Sequence, residues 1–376
     1  MTRRRLFLLV LCLVLAATTS SQGQVIYGQP ASGNPQFVYS HWKLQDPAGD
    51  EITVSQSYLP LVGYVPLKDN LELQFHIANS SNALKFEGYD KSLSGLSDLR
   101  LQVTQSLSDD RFVLSGSVNL PVGKKKLRLS DEWIIVEALS QDFLSLPTRR
   151  LGEGFGFSML AGGATMLGET RVGGGLVYQF NGEYQPYEES GDYDPGDIIS
   201  ANAGGDLQKG GMRWSANAIF TAYTADKQKG IKTFRQSPQF LMSVAGTYET
   251  EAMTAGGGVS FLVRGRNVVY DSTETILSKL KLFGNEFAIN GAASWKLAPG
   301  WFAGPSALFR HIAANEGLLE AELGSASVFG AGVNGGKTLG EHFTVDVGFM
   351  YFTGSADAGD IDLTGYQLTA SLLATL

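Results

Sequence analysis

Four histidines, His41, His76, His311 and His342, and one cysteine, Cys12, are the residues best suited to general-base, metal or thiol chemistry in this 376-residue chain. A hydrolase needs a nucleophile beside such a base and a third group to orient it. No serine lies in a Gly-x-Ser-x-Gly elbow, and no strand convincingly sets a serine beside a histidine on its apolar face. Glu183, Glu188, Glu189, Asp192, Asp194 and Asp197 offer the hard oxygens that calcium prefers. They lack the spacing of a calcium-binding loop, and they read as a solvated acidic connection. Neither a metal, nor a cofactor, nor catalysis is expected.

A different set of charges is more informative, because each stands within an otherwise apolar segment: Glu72, His76, Asp98, Arg100, Arg171, Asp206, Arg213, Arg264, Glu286 and Asp346. An ionised group there must face water or a partner. In Asn70 to Ile77, Leu71, Leu73, Phe75 and Ile77 alternate with Glu72, Gln74 and His76. Asp98 to Ser106 sets Leu99, Leu101 and Val103 against Asp98, Arg100, Gln102 and Thr104. His342 to Thr353 sets Phe343, Val345, Val347, Phe349 and Tyr351 against Thr344, Asp346 and Gly348. A period of two makes each set one face of a strand. An apolar face against lipid and a polar face against a water-filled lumen describe a transmembrane β-barrel. The predicted lumen charges are mixed in sign, so the single-sign ring of a strongly ion-selective pore is not expected. Leu59, Leu61, Leu160, Ile219 and Leu262 are expected to point inward among them, either leaving a path for an amphipathic or hydrophobic solute or packing a closed lumen; the sequence does not separate the two.

The connections carry the same message. Lys68-Asp69, Leu107 to Asp110, Gly168-Glu169, Lys209 to Gly211, Thr250-Glu251, Ala298 to Gly300 and Gly340-Glu341 are tight. Between them lie longer stretches at 80–95, 122–151, 181–196, 225–236, 267–283 and 313–324, with short acidic links at Asp46 to Asp50 and Gly354 to Asp360. Outer-membrane barrels alternate short periplasmic turns with longer outer loops. The fold expected is all-β: an antiparallel up-and-down barrel of fourteen to sixteen strands over 25–376, with both termini periplasmic.

Residues 1–24 open with Arg3, Arg4 and Arg5, run apolar from Leu6 to Ala16, and end small and polar. That is the pattern of an export signal. The apolar run is too short for a helical span. Cys12 lies within it, so disulfides and thiol catalysis are not expected of the mature chain. Of 29 basic and 37 acidic residues, the signal removes three arginines, leaving a net charge of −11. Such a chain is a poor partner for nucleic acid. Its expected partners are outer-membrane lipid and lipopolysaccharide, the barrel assembly machinery and a small hydrophobic solute.

One stretch breaks the two-residue period. From Leu129 to Phe143 the spacing predicts a short helix in the long outer loop, with Ser130 as its cap and Asp131 and Glu132 in its first turn. Ile135, Leu139 and Phe143 share a face, Trp133 lies near its start, and Pro147 follows its end. The order Asn119-Leu-Pro-Val-Gly123, the Ser-Asp-Glu helix, then Leu151-Gly-Glu-Gly-Phe-Gly-Phe157 and a glycine-rich hairpin resembles outer-membrane transporters of the phenol meta-pathway type, which are distantly similar to long-chain fatty-acid transporter barrels. The resemblance implies passive uptake of small hydrophobic compounds. A non-conducting structural or adhesive barrel and an outer-membrane hydrolase are the other readings this sequence leaves open.

Overall fold

The computed structural model describes residues 31–129, 131–316 and 324–375. The expected signal, with Cys12, lies outside them, as does Ser130. Sixteen strands form the wall. The first are β1 (Gln36–Gln45), β2 (Glu51–Lys68), β3 (Leu71–Phe86), and β4 in two pieces, Tyr89–Leu96 and Leu99–Leu107. Then come β5 (Phe112–Leu120), β6 (Gly156–Leu167), β7 (Thr170–Asn181), β8 (Ile198–Lys209) and β9 (Met212–Tyr223). They are followed by β10 (Gln239–Glu249), β11 (Met253–Arg264), β12 (Glu286–Ala298) and β13 (Trp301–Ile312). The last are β14 (Ala326–Leu339), β15 (Phe343–Ala356) and β16 (Ile361–Thr375).

Each strand pairs antiparallel with the next, and β1 pairs with β16 from Gln36↔Ser371 to Gln45↔Asp362, which closes the ring. A two-residue piece, Ser32–Gly33, continues β1 between Thr375 and Tyr64. Both described ends of the chain therefore meet on one rim, the rim of the tight turns. Gly168, Gly210 and Gly300 take the left-handed conformation there, with φ of 62°, 60° and 77°, which suits the shortest hairpins.

The alternation read from the sequence governs the wall. Val347 is 55 % exposed, and Leu176, Phe220, Val244, Phe261 and Phe349 are also exposed, all on the outer face. Water could not stabilise so large an apolar band, whereas a bilayer does. Trp214, Tyr248, Trp295 and Trp301 cluster outward beside the tight turns, where amphipathic rings meet headgroups.

Three expectations need correction. The stretch 80–95 is not a loop, because β3 and the first piece of β4 pair across it around a turn at Glu87 and Gly88. Its small, weakly alternating residues hid a hairpin. Leu59 and Leu61 point outward, since Tyr58, Pro60 and Val62 take the inward positions of β2; Tyr58 bonds to inward His76. The connections after β7, β9 and β11 are long, as read, but they carry a second sheet built from Tyr193–Asp194, Asp226–Gln228, Ile231–Arg235, Asn267–Tyr270 and Ile276–Leu280.

The facing assignment has a direct test. Val347→Arg, at the middle of the outer band, should lower the unfolding free energy by about 2–4 kcal/mol. Asn217→Arg, on the inner face one strand-pair from Ser243, should change it little. Urea titration of protein refolded into vesicles measures both.

Candidate functional site

The connection from β5 to β6 does not stay outside the ring. It forms one helix, α1 (Glu132–Leu139), followed by a single 3-10 turn at Asp142–Leu144. The helix is shorter than the sequence predicted, and its cap is Asp131, whose side chain accepts from the Glu132 amide at 3.0 Å. Glu132 is buried, and its carboxylate takes the Lys124 ammonium, the Arg128 amide at 2.9 Å and the Arg128 guanidinium at 3.2 Å. Burial opposes ionisation of this group, but the bonds from Lys124 and the Arg128 amide outweigh it and hold its pKa below the ordinary glutamate value. Its stabilising effect is therefore present above about pH 4.3 and lost as pH falls through the lower folded value.

Ile135, Val136, Leu139, Phe143 and Leu144 turn toward the wall and disappear against it. Their neighbours are inward residues of the strands on either side of the closure: Trp42 on β1, Val54 on β2, Leu84 on β3, Leu93 on β4, Val328 on β14, Phe352 on β15 and Leu363 on β16. Trp42 stacks on Phe352 with ring centroids 5.0 Å apart. Three of the four expected helix-face residues, Ile135, Leu139 and Phe143, are thus core. Trp133 is half-buried, with its indole N–H donating to Glu137 at 2.6 Å and its ring edge on Tyr187 at 5.3 Å.

One carboxylate fixes both ends of this insertion. Asp98 sits where β4 breaks. Its Oδ1 accepts from the Gly123 amide at 2.9 Å, and its Oδ2 accepts from the Glu153 amide at 2.8 Å and from Asn119 at 3.1 Å. Gly123 must lack a side chain, since a Cβ there would lie 2.3 Å from the Leu151 carbonyl. Further along, the amide of buried Gln56 donates to the Thr148 carbonyl at 2.7 Å and accepts from its N–H at 3.2 Å. Arg150 donates to the Pro186 carbonyl at 2.8 Å, with its guanidinium 4.9 Å from the Tyr184 ring.

The far end of the insertion is held by charge. Asp142 meets Arg264 of β11 at 3.2 Å and Arg149 at 2.6 Å. Arg310 of β13 grips Glu286 of β12 through Nε and Nη2, both at 2.8 Å. Its remaining nitrogen donates to the Asp142 carbonyl and, at 2.5 Å, to the Ser145 hydroxyl. Side chains of these four groups are only 9–17 % exposed. The buried members, Arg264, Arg310, Asp142 and Glu286, cancel in charge, and half-exposed Arg149 adds one positive charge at the edge of the cluster. The insertion therefore runs inside the barrel from its hinge at β4 and β5 to a clamp at β11 to β13.

The remaining inward charges lie toward the tight-turn rim and are not brought together into one site. Glu72 is buried beneath a bond from Gln74 at 3.1 Å. His76 stands opposite Arg100 and bonds to the Tyr58 hydroxyl at 3.3 Å, so its close partner is a tyrosine. Arg100 reaches Ser117 at 3.4 Å. Arg171, Asp206 and Arg213 lie on neighbouring strands, with Asp206 and Arg213 paired at 3.2 Å. Asp346 faces inward from β15, between Gly336 and Ser371.

Away from the insertion, the inner wall is half-exposed and striped. Ile219, Leu241 and Leu262 are register neighbours across β9, β10 and β11. Thr221, Gln239 and Arg264 form the rung above them, and Asn217, Ser243 and Ser260 the rung below. Sequence reading found Arg264, Glu286 and the apolar helix face. It missed Asp142 and Arg310, one of which follows the helix while the other sits in a strand of weak alternation.

A serine does stand beside a histidine on the outer face: Ser327 Oγ is 2.9 Å from His311 Nδ1, across β13 and β14. Among the described residues no carboxylate bonds the other imidazole nitrogen. The wall's backbone N–H groups there are taken by the strand ladder, so none is aimed at a developing oxyanion. The pair is a cross-strand polar contact.

No family model and no curated protein matches the chain. Among solved structures it is similar to Pseudomonas aeruginosa OccK7 (OpdD), with 11 % identity, 92 % of this chain and 99 % of that one covered, and a TM-score of 0.45. Salmonella typhi OmpF in complex with daunomycin gives 13 % identity, 92 % and 99 % coverage and a TM-score of 0.42. A bacterial polysaccharide outer membrane secretin gives 11 %, 91 %, 98 % and 0.44. At such identities and overlaps these likenesses say nothing of what the lumen admits.

Removing the Asp142 carboxylate takes a counter-charge from Arg264 and Arg149 and leaves Glu286 to serve both Arg264 and Arg310. Breaking a buried pair in this way costs about 3–5 kcal/mol locally. In Asp142→Ala, amide hydrogen exchange over 132–146 should therefore quicken by at least about a hundredfold, while wall strands stay protected. Exchange unchanged from wild type would show that the clamp does not hold the segment.

Proposed function

We propose that this protein is an outer-membrane channel for passive uptake of small hydrophobic or amphipathic compounds, with its termini in the periplasm and the insertion as its constriction. The observation that carries the reading is the one-sided filling of the lumen. A sixteen-strand ring is wide enough for an aqueous channel. The insertion covers β13 to β16 and β1 to β4 with apolar contacts, while the inner wall of β7 to β11 stays half-exposed and small. The route we assign runs along the wall of β7 to β10, past the Ile219, Leu241 and Leu262 row, whose Leu262 stands beside clamp residue Glu286. A solute with an apolar face and a polar edge matches that stripe: the apolar row takes the face, and the serine, asparagine and glutamine rungs hydrogen-bond the edge. The mixed charges toward the other rim hydrate the exit without selecting strongly by sign. The motif resemblance to phenol meta-pathway transporters agrees with this choice of solute.

Flux into proteoliposomes tests it. Phenol and glycerol, both small and uncharged, should both pass, with phenol favoured over its rate through bare lipid. In Ile219→Asn/Leu241→Asn/Leu262→Asn, the phenol preference should fall about tenfold or more, given that each apolar contact contributes roughly 1 kcal/mol, while glycerol flux is kept. Equal loss of both fluxes, or no change in either, contradicts the assignment of this row as the solute path.

A further inference from the structure

The connections after β7, β9 and β11 line an open cleft of about 450 Å³. It is of a size that ordinary small-ligand sites have. Its walls are braced before any ligand arrives. Asp271 Oδ1 accepts from the Thr273 amide and hydroxyl at 2.8 and 2.7 Å and from the Thr275 amide at 2.9 Å. Lys232 binds Glu274 through its amide and its ammonium, at 3.2 and 3.0 Å, which ties the hairpin at 231–235 to the turn after Tyr270. The third wall, carrying Tyr187, is pinned by the Ser190 hydroxyl donating to the Tyr187 carbonyl at 2.8 Å. Gly191 lets the alkyl stem of Lys229 lie across it, where a Cβ would come within 2.3 Å.

The lining has a definite chemistry. Two tyrosines, Tyr187 and Tyr270, line it beside Ile231, and the Tyr187 ring also meets Trp133 at 5.3 Å. Around them stand two ammonium groups, Lys229 and Lys232, two carboxylates, Glu189 and Asp271, and the Gln228 amide. The four lining charges are balanced in number, and Lys232 is already paired with Glu274, so no strong positive field favours an anion. They do leave many donors and acceptors at the rim of an aromatic patch. An uncharged molecule with apolar C–H faces and a fringe of hydroxyls satisfies both, since rings pack on aromatic surface while hydroxyls bond charged groups more strongly than neutral ones.

We infer that this cleft is a saccharide site, taking one or two uncharged sugar rings. The inference stands apart from the transport reading, because the connections line the cleft and no wall strand does. The sugar could be free in solution or belong to surface lipid, and the chemistry is the same.

Saturation-transfer NMR on the full refolded chain, in a sugar-free zwitterionic detergent, tests it with four probes: maltose, lactose, de-acylated lipopolysaccharide core oligosaccharide and benzoate. The inference predicts saturation of sugar ring protons and none of benzoate. Transfer to the disaccharides assigns a free sugar; transfer to the core oligosaccharide alone assigns the surface lipid. In Tyr270→Ala, sugar affinity should fall at least tenfold while heat-modifiable migration shows the barrel intact; should that variant not refold, Gln228→Ala serves in its place. No transfer to any sugar, transfer unaltered in the folded variant, or transfer to benzoate instead would each overturn the inference.

Discussion

A sheet of sixteen strands closed on itself encloses more space than its own inward side chains fill. Nearly every feature of this molecule answers that constraint. Inward residues must meet water, meet each other, or meet chain brought in from elsewhere. Around the closure, inward Trp42, Val54, Leu84, Phe352 and Leu363 would be stranded apolar surface on a wet wall. The insertion between β5 and β6 covers them. Across β7 to β11, Ser200, Asn202, Asn217 and Ser243 tolerate water and receive no cover. The wall and the insertion are thus complementary in composition, and the division of the lumen into a filled side and a hydrated side is written in both.

Three kinds of force hold the filled side, and they do different work. Apolar contacts of α1 supply most of the attraction, yet they are non-directional and would permit the segment to slide. The bonds at Asp98 and Gln56 fix its two ends to β4 and β2. The cluster of Asp142, Arg264, Glu286 and Arg310 fixes the far turn. A buried ion cluster adds little net stability over apolar replacements, but it tolerates few geometries. Its effect here is to fix where the far turn of the insertion stands against β11 to β13.

Much of the wall was legible because a period of two is hard to counterfeit over ten residues. Phe343 to Tyr351 and Leu71 to Ile77 reveal face and register unaided. The tight turns, with Gly168 and Gly210, mark one rim. Legibility failed where alternation carries no hydropathy contrast. Ser80, Ser81, Asn82 and Ala83 look alike on both faces, so the β3–β4 hairpin read as loop. Leu59 and Leu61 were placed inward because the tyrosines and Pro60 opposite them are themselves bulky and partly apolar. The helix face was visible through Ile135, Leu139 and Phe143, but its destination was not. That depends on Asp142 meeting Arg310 across 168 residues of sequence, and no local pattern reports a partner so distant.

If the insertion lies in the lumen and sets the width of a hydrated passage, removing it must widen that passage. Single-channel conductance in planar bilayers, comparing the wild-type chain with a deletion of 129–146, tests it most directly. The account predicts a small, steady conductance for the wild-type protein and a several-fold larger one for the deletion, both from heat-modifiable, β-rich samples. Equal conductance in the two would mean that the segment does not stand in the path, and silence in both would mean that no path exists.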